Sequence, residues 1–533
     1  MKILLVAPDI SSKQESQNDF VYFSSLVNKK SRKQTGHKLG VMPLALPTLA
    51  ALTPPEFDVR IIDENIEDID FDEPVDIVGL TFLTCYARQG YDLADRFRTT
   101  GAHVVLGGVH VTMCPDEALQ HADTVFVGEA EDTWEVFLDD FKRGSPKPLY
   151  EPENRADLTR LVIPRWDLVK NEYYRSHLVQ TSRGCHFHCD FCSVPEYLGP
   201  LVNKPVENVI EEIKATKGYG RVPGIHYVYF ADEDVICDKT WAKELFRAMI
   251  PLKVRWFSQV SINIAMDDEL LDLAAQSGCE AVFIGLESIA QDNLDSVGKG
   301  KLNKVKQFKD AIDRIHRRGI VVFGFFMFGF DGDEDSVFQE TVDFINEIPV
   351  ALPIINILGP LPGTRLYDRV KAEGRLIEAD WDRFDARNVL IEPKKMSAAV
   401  LLNGTNWSLR ELYSADAILD RIGRLWAMGG LRSPKNNFLV RLKLTLLLVY
   451  DSLSRDREFA VFIRRMAREL WIKKNISFTV IFAVLSFYDF ARKLPAVDDG
   501  FSPGRLEVTH RGGERQGQHD RGDPDRAGIS RAR

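Results

Sequence analysis

Three of the chain's seven cysteines fall in one short run, Gly184-Cys185-His186-Phe187-His188-Cys189-Asp190-Phe191-Cys192. Thiolates at C-x3-C-x2-C spacing on a single loop can ligate three irons of a [4Fe–4S] cluster. The fourth iron then lacks a protein ligand and stays open to a substrate, as the open position of a catalytic zinc does. A structural zinc knuckle could instead recruit His186 or His188, but such sites bring a second ligand pair at fixed spacing, and no such pair stands out in the sequence.

Polar groups follow at the ends of apolar runs. Asp232 and Glu233 stand in Phe230-Ala231-Asp232-Glu233-Asp234, Gln259 and Ser261 in Trp256-Phe257-Ser258-Gln259-Val260-Ser261, and Glu287 in Gly285-Leu286-Glu287-Ser288. Singly, Asp232 or Glu287 could cap a helix or pair with a cation. Together they read as a site at converging strand ends. Gln259 and Ser261 are two residues apart, so on a strand their side chains share a face. His226 and Cys279 read as packing residues.

Upstream, Gly79-Leu80-Thr81-Phe82-Leu83-Thr84, Gly107-Gly108-Val109-His110 and Gly128-Glu129-Ala130-Glu131 end three further runs. Glycines at strand ends let backbone approach a bulky ligand, and the hydroxyls of Thr81 and Thr84 can bond it. A flavodoxin-like or dinucleotide-binding sheet could show the same signals.

The elements that must position these groups alternate. Runs at Lys2–Ala7, Val59–Asp63, Asp76–Thr81, His103–Leu106 and Thr124–Val127, with helical spacers at Leu44–Leu52, Tyr91–Thr100 and Trp134–Phe141, predict a parallel α/β sheet over residues 1–145. The long polar segment from Ile10 to Pro43 follows the first strand, where open sheets bind ligands. A Pro-containing polar stretch, 146–170, reads as a linker. Over 171–395 six strands (Leu178–Ser182, His226–Asp232, Arg255–Ser261, Ala281–Glu287, Val321–Phe328, Ile354–Gly359) alternate with helices, predicting a partial or open β/α barrel that works at its strands' C-terminal ends. Residues 396–499 read as helical (Ala399–Met428, Phe438–Leu453, Glu458–Lys474, Ile476–Arg492), and the Gly/Arg-rich tail 500–533 as disordered.

Composition sets outer bounds. At 533 residues, with a prior of about 150 per domain, three or so units are expected. A net charge of -10 gives no general attraction to nucleic acid. Seven cysteines in a chain this long are no disulfide scaffold and point to a reducing cytoplasm. Pro8 and Asp9 cut the N-terminal apolar run short of a signal h-region. No uncharged apolar run approaches the roughly 18–20 residues of a spanning helix; the closest, Ile476 to Tyr488, is too short and is flanked by Lys473, Lys474 and Asp489.

The C-x3-C-x-aromatic-C loop, with Phe191 as the aromatic, at the end of the first strand of a six-strand β/α unit resembles the radical S-adenosylmethionine (SAM) superfamily. The motifs after the later strands, including Gly324-Phe325-Phe326-Met327-Phe328-Gly329 and Leu361-Pro362-Gly363-Thr364, are similar to those of the branch carrying a cobalamin-binding domain upstream. The resemblance covers roughly residues 1–395. It implies an N-terminal Rossmann- or flavodoxin-like cobalamin domain, a partial (β/α)6 barrel and an α-helical C-terminal region. It also implies a [4Fe–4S] cluster on Cys185, Cys189 and Cys192, with SAM on the open iron near Phe191, Asp232, Glu233, Gln259, Ser261 and Glu287. Cobalamin is implied near Thr81, Thr84, Gly107, Gly108, Gly128 and Glu129. The D-x-H-x-x-G sequence that brings an axial histidine to cobalt in many cobalamin domains is missing. The nearest approach, His37-Lys38-Leu39-Gly40, has Thr35 where the aspartate should be, so the lower ligand is left unassigned.

By the same resemblance the reaction is methylation of an unactivated carbon in a lipid, tetrapyrrole or natural-product substrate. One SAM supplies the methyl through the corrinoid, and another yields the radical that takes a substrate hydrogen. An oxidative cyclase or rearrangement enzyme with the same two domains, and a non-catalytic cobalamin or redox sensor, are the rival readings. A flavodoxin or ferredoxin is the implied electron donor. The Leu-rich C-terminal helices are expected to lie on the barrel as a lid, with a peripheral membrane face through Arg441, Lys443, Arg464, Arg465, Arg468, Lys473 and Lys474 as the rival.

Overall fold

A computed structural model of the chain describes residues 1–9, 41–174, 176–218, 226–348, 350–428 and 457–472, together with 488, 491–495, 497 and 503. His37 and the long polar segment around it, the helices expected at Phe438–Leu453 and over most of Ile476–Arg492, and nearly all of the tail after Gly500 lie outside the described residues.

Two parallel sheets organise the chain. The first runs β2-β1-β3-β4-β5-β6, with β1 Lys2–Ala7, β2 Asp58–Asp63, β3 Ile77–Thr81, β4 His103–Gly107, β5 Thr124–Phe126 and β6 Leu149–Tyr150. This order is flavodoxin-like, and its topological switch lies between β1 and β3, where such sheets bind ligands beyond the strands' C-terminal ends. The strands are buried on both faces: helices Ala45–Leu52 and Trp134–Lys142 pack around one core and helix Ala87–Thr99 around another. That is why they read as unbroken apolar runs.

The stretch expected as a linker is packed onto this sheet. Leu149–Tyr150 supplies the sixth strand, and Trp166, Val169 and Tyr174 are buried in the same core. Its prolines and charges hid the short edge strand, since two residues carry no periodicity to detect.

The second sheet runs β14-β13-β12-β11-β10-β7, all parallel, from β7 His177–Val179, β10 Tyr227–Phe230, β11 Arg255–Gln259, β12 Cys279–Glu287 and β13 Val321–Phe328 to β14 Leu352–Ile357. It is the open six-strand barrel expected. The predicted first strand is split, however. After β7 the chain forms β8 Ser182–Arg183, which pairs antiparallel with β9 Val202–Asn203 in a separate ribbon. Outer helices follow the expected pattern: in Phe308–Arg317 the buried Phe308, Ala311, Ile312 and Ile315 form one apolar stripe. Asp238 and Asp267 cap two others by accepting from backbone N–H groups.

Among the described residues, the C-terminal helices add no separate core. Helix Ala398–Leu412 packs on β14 and on helix Val337–Glu347, and its Tyr413 neighbour donates to the Pro353 carbonyl at 2.6 Å. Helices Ala415–Met428 and Arg457–Ile472 extend the same barrel core. The Leu-rich helices expected as a lid, Phe438–Tyr450 and nearly all of Ile476–Phe490, lie outside the described residues. Arg464, Arg465 and Arg468 are exposed, and Arg465 pairs with Asp416.

Candidate functional site

The cysteine loop leaves the β8–β9 ribbon through Gly184. Its φ is +86°, and a side chain there would place Cβ 2.4 Å from the carbonyl oxygens of Gly199 and Pro200, so only glycine fits. The loop is then tied on three sides: Cys185 N–H to the Gly199 carbonyl at 3.3 Å, Asp190 N–H to Val297 at 3.1 Å, and Leu366 N–H to Asp190 at 2.9 Å. Cys189 is buried, and Cys185 and Cys192 are partly so. His186 and His188 are exposed, turned out from the fold where a zinc knuckle would need one as a ligand.

The donor set fits three irons better than one ion. Among the described residues no three His, Cys, Asp or Glu groups converge as ligands of a single metal. Yet the three thiols sense one another: burial first, and then neighbouring groups that include Cys185 for Cys189 and Cys189 for Cys192, raise the Cys189 thiol and push Cys192 up to about 12. Cys185 is held down at about 7, chiefly by a hydrogen bond with Cys237. The Lys299 ammonium favours the thiolate at all three. Such thiols become thiolates when a cation takes the protons' place.

Lys299, with no sequence motif to announce it, organises the far wall. Its ammonium pairs with Glu287 and stands 5.8 Å from the Phe191 ring centroid. Glu287 sits at the end of β12 with φ +66°, a left-handed conformation uncommon outside glycine. Gly285 makes room, since a Cβ there would lie 2.1 Å from the Glu287 carboxylate and 2.6 Å from Lys299 Nζ.

Asp232 departs from the sequence reading. Both its oxygens accept from Thr181 N–H at 3.1 Å, and one also accepts from the Thr181 hydroxyl at 2.8 Å and from the Ser182 N–H and hydroxyl. Its carboxylate is therefore committed to the crossover between β7 and β8, beneath the cysteine loop. Glu233 is the free acid: among the described residues it has no hydrogen-bond or ion-pair partner. Burial, and then the charges of Asp232 and Cys185, push it up to about 7. A carboxylate so placed favours a cation beside it.

Gln259 ends β11 near the Tyr229 hydroxyl, and Tyr229 stacks on Phe257 at 4.9 Å. The expectation that Gln259 and Ser261 share a strand face fails because β11 ends at Gln259. Ser261 lies in the following turn and donates its N–H to Asp234 at 2.9 Å.

The first sheet's loops meet this mouth. Gly108, with φ +104°, follows Gly107 at the end of β4, and a Cβ on it would stand 2.5 Å from the Thr81 hydroxyl. Thr81 is half-buried and Thr84 buried. Gly128 donates its N–H to Thr112 at 3.0 Å. The short helix Val109–Met113 after Gly108 packs on Val194–Tyr197, the helix after the cysteines. Glu129 is committed elsewhere: it accepts from Arg183 Nη1 at 2.8 Å and from Ala156 N–H at 2.9 Å. Glu131 takes the other guanidinium nitrogen of Arg183. Farther round, Trp381 donates its indole N–H to Glu117 at 2.8 Å.

Known proteins share both halves of this arrangement. The B12 binding domain matches residues 27–138, the radical SAM superfamily residues 179–345, and a domain of unknown function (DUF4070) residues 364–491. The bacteriochlorophyllide d C-12(1)-methyltransferase of Chlorobaculum tepidum is 32% identical over 431 residues, covering 78% of this chain and 92% of that protein. The chain belongs to the radical SAM superfamily, in its branch with a B12-binding domain. The hopanoid C-2 methylase of Rhodopseudomonas palustris is 29% identical over 352 residues, 63% of this chain and 66% of that one. Among solved structures, the radical SAM methyltransferase TsrM from Kitasatospora setae, with cobalamin and a [4Fe-4S] cluster bound, superposes with a TM-score of 0.57 at 16% identity, covering 88% and 99% of the two chains. OxsB, with aqua-cobalamin and SAM bound, gives 0.58 at 16% identity, covering 92% and 79%. These two share the fold.

This radical SAM protein is therefore an enzyme and not a sensor, and its cofactors are a [4Fe–4S] cluster, SAM and cobalamin. No helix among its described residues is long and apolar enough to cross a membrane.

Proposed function

We propose that this enzyme methylates an unactivated carbon of a large, mostly apolar small molecule, of tetrapyrrole or polycyclic lipid type. The observation that carries the reading is that helix Val109–Met113, after β4 of the first sheet, packs against helix Val194–Tyr197, after the cysteines, while Glu129 after β5 holds Arg183 at the root of the cysteine loop. Likeness over nearly the whole length of a bacteriochlorophyllide d methyltransferase supports the substrate class, and a second such enzyme, the C-8(2)-methyltransferase, is 29% identical over 396 residues. When bound, the cluster supplies the electron that cleaves SAM, and the corrinoid carries the methyl group.

The chain's own part is to bind, orient and exclude water. Cys185, Cys189 and Cys192 would hold the cluster on a loop whose backbone is fixed before the metal arrives. Glu233, raised and unpaired, suits the ammonium of SAM, and Gln259 and Ser261 offer polar groups beside it. The Lys299–Glu287 pair would close that pocket over Phe191. Gly107, Gly108 and Gly128, with Thr81 and Thr84, would let a corrinoid approach the ends of β3 to β5. The reaction would take place in the cytoplasm with an electron from a flavodoxin or ferredoxin. Such a reaction asks the protein to exclude water, since a radical must meet only its substrate.

One relative favours a second reading. The anaerobic magnesium-protoporphyrin IX monomethyl ester cyclase of Cereibacter sphaeroides is 23% identical over 355 residues, covering 55% of that protein. Product mass separates the two. Anaerobically reconstituted enzyme with hydroxocobalamin, SAM, a strong reductant and a bacteriochlorophyllide should release 5′-deoxyadenosine and S-adenosylhomocysteine together, with the substrate heavier by one methylene unit. Deoxyadenosine alone, with a substrate that gains no methylene, would replace methylation by cyclisation.

A further inference from the structure

Beyond β14 the chain makes one excursion that touches both sheets. It leaves and returns at the barrel: Leu376 and Ile391 bridge antiparallel, and Ile377 donates its N–H to the Leu390 carbonyl at 3.0 Å. Ile391 lies in, and Leu376 packs against, a small core of Leu358, Leu366 and Val370 that also carries Phe191 of the cysteine loop. Between these feet the Ala386 carbonyl accepts from Ile357 N–H at 2.8 Å, so the excursion is stitched to the end of β14.

Its tip belongs to the first sheet. The turn Trp381–Arg383 packs on Thr84–Tyr86, which follows β3, and on helix Ala87–Thr99. Trp381 packs against the core that holds Phe82, Tyr86 and Val111, and meets the His110 ring edge to face at 5.0 Å between centroids. Its indole N–H is the donor to Glu117 at 2.8 Å. His110 and Val111 belong to Val109–Met113, the helix after β4, and both are fully buried. From the barrel side Gly363 closes on the same helix, where a Cβ would lie 2.4 Å from the Met113 sulfur.

The other tie between the sheets lies across the barrel. Arg183, which holds Glu129 and Glu131, directly follows β7, and β7 and β14 are the two opposite edges of the barrel sheet. Domains joined at one edge keep a hinge, and relative motion is their default. A tie at the second edge removes that freedom. The ends of β3 and β4 are then held at one distance from the cysteine loop. Such placement matters for a reaction between two bound groups, because a displacement of about 1 Å can cost on the order of a hundredfold in rate.

We propose that Trp381, anchored on Glu117, is a positioning residue that fixes the corrinoid-holding end of the first sheet at one distance from the cluster loop. The inference rests on the reading that the corrinoid lies at the ends of β3 to β5.

The test uses the full-length enzyme reconstituted with its cluster and hydroxocobalamin, and reduced until cob(II)alamin and the reduced cluster coexist. Pulsed dipolar electron paramagnetic resonance then reads the cobalt–cluster distance, with iron and corrinoid counted per chain. Trp381→Ala should widen the distance distribution roughly twofold or more, as for domains joined at one edge. Trp381→Phe keeps a ring but loses the N–H, and should fall between that variant and the parent. Glu117→Gln retains an acceptor oxygen and should match the parent, whereas Glu117→Leu should match Trp381→Phe. A parent-like distribution in Trp381→Ala with both cofactors bound overturns the proposal. Where Trp381→Ala sheds a cofactor, Trp381→Phe decides instead: a widened distribution supports the role and a parent-like one overturns it. Gly107→Val tests the reading beneath. A Cβ there meets only Phe126, at 3.7 Å, so the fold accepts the side chain, and the variant should lose bound corrinoid. Full corrinoid retention in Gly107→Val would overturn the corrinoid placement, and so marks that failure apart from this one.

Discussion

Arg183 holds Glu129 across the two sheets: its Nη1 donates to the carboxylate at 2.8 Å, one residue before the Gly184-Cys185 turn begins. Its other terminal nitrogen takes Glu131, and its Nε takes the Gln180 side chain at 2.8 Å. The guanidinium thus ties the root of the cysteine loop to the segment that leaves β5. Both partners are largely buried, with side chains 13% and 8% exposed. Removing one charge from such a pair strands the other in a poorly hydrated place, at a cost of about 3 kcal/mol or more. Arg183→Ala should therefore lower the urea midpoint of the apoprotein clearly. Glu129→Gln should cost less, and in a double-mutant cycle the two changes should fall well short of additive. Additive costs would mean that the clasp contributes nothing.

Asp232 makes a prediction that separates a structural role from ligand binding. Its carboxylate receives two backbone N–H groups and two hydroxyls from Thr181 and Ser182. In Asp232→Ala these buried donors lose their acceptor, which typically costs about 1–3 kcal/mol for each group left unsatisfied. The thermal midpoint and the iron content after reconstitution should fall together. A variant that kept its cluster and midpoint but bound SAM weakly would return Asp232 to the SAM pocket.

The sequence disclosed periodic and covalently spaced features and missed those assembled across space. Each of the long strands was legible because both faces of a covered parallel strand are apolar, and the cysteine run because ligand spacing on one loop is local. Lys299 was not legible, since a lysine between Gly298 and Gly300 looks like a solvated turn, and only the fold brings it under Glu287. Arg183 and Glu129 are 54 residues apart, and nothing in either neighbourhood marks the other. The split of the first barrel strand was missed for a related reason. The run from Leu178 to Ser182 is continuous in composition, but Asp232 captures Thr181 and Ser182 and turns the chain into the β8–β9 ribbon.

Gly285 tests the pairing of Glu287 with Lys299 without touching either. A methyl group at this position would fall within 2.6 Å of the lysine nitrogen and closer still to the carboxylate. Gly285→Ala should force the pair apart, at a cost of about 1–3 kcal/mol for overpacking a filled interior. If the pair closes the SAM pocket, calorimetric SAM affinity of the reconstituted enzyme should drop by tenfold or more while iron content holds. Unchanged affinity in a folded, cluster-bearing variant would remove the Lys299–Glu287 pair from the cofactor site.

Asp333 gives a pH dependence whose sign is fixed by its surroundings. It is 3% exposed; Oδ2 accepts from Gly329 N–H at 2.9 Å and Phe330 N–H at 3.0 Å, and Oδ1 from the Asn293 amide. Burial outweighs these bonds and pushes the carboxyl up to about 6 from 3.8. Between those values the folded chain binds more protons at this group than the unfolded chain does, so its contribution to stability falls as pH rises. That contribution is complete below about pH 4 and lost once the pH passes about 6. Asp333→Asn removes the titration while keeping an oxygen for the two backbone donors. The stability difference between parent and variant, measured by urea unfolding of the apoprotein, should therefore shift against the parent from pH 4 to pH 6.5 and level off above. A difference that is flat across this window, or that moves the other way, would show that burial does not dominate at this carboxyl.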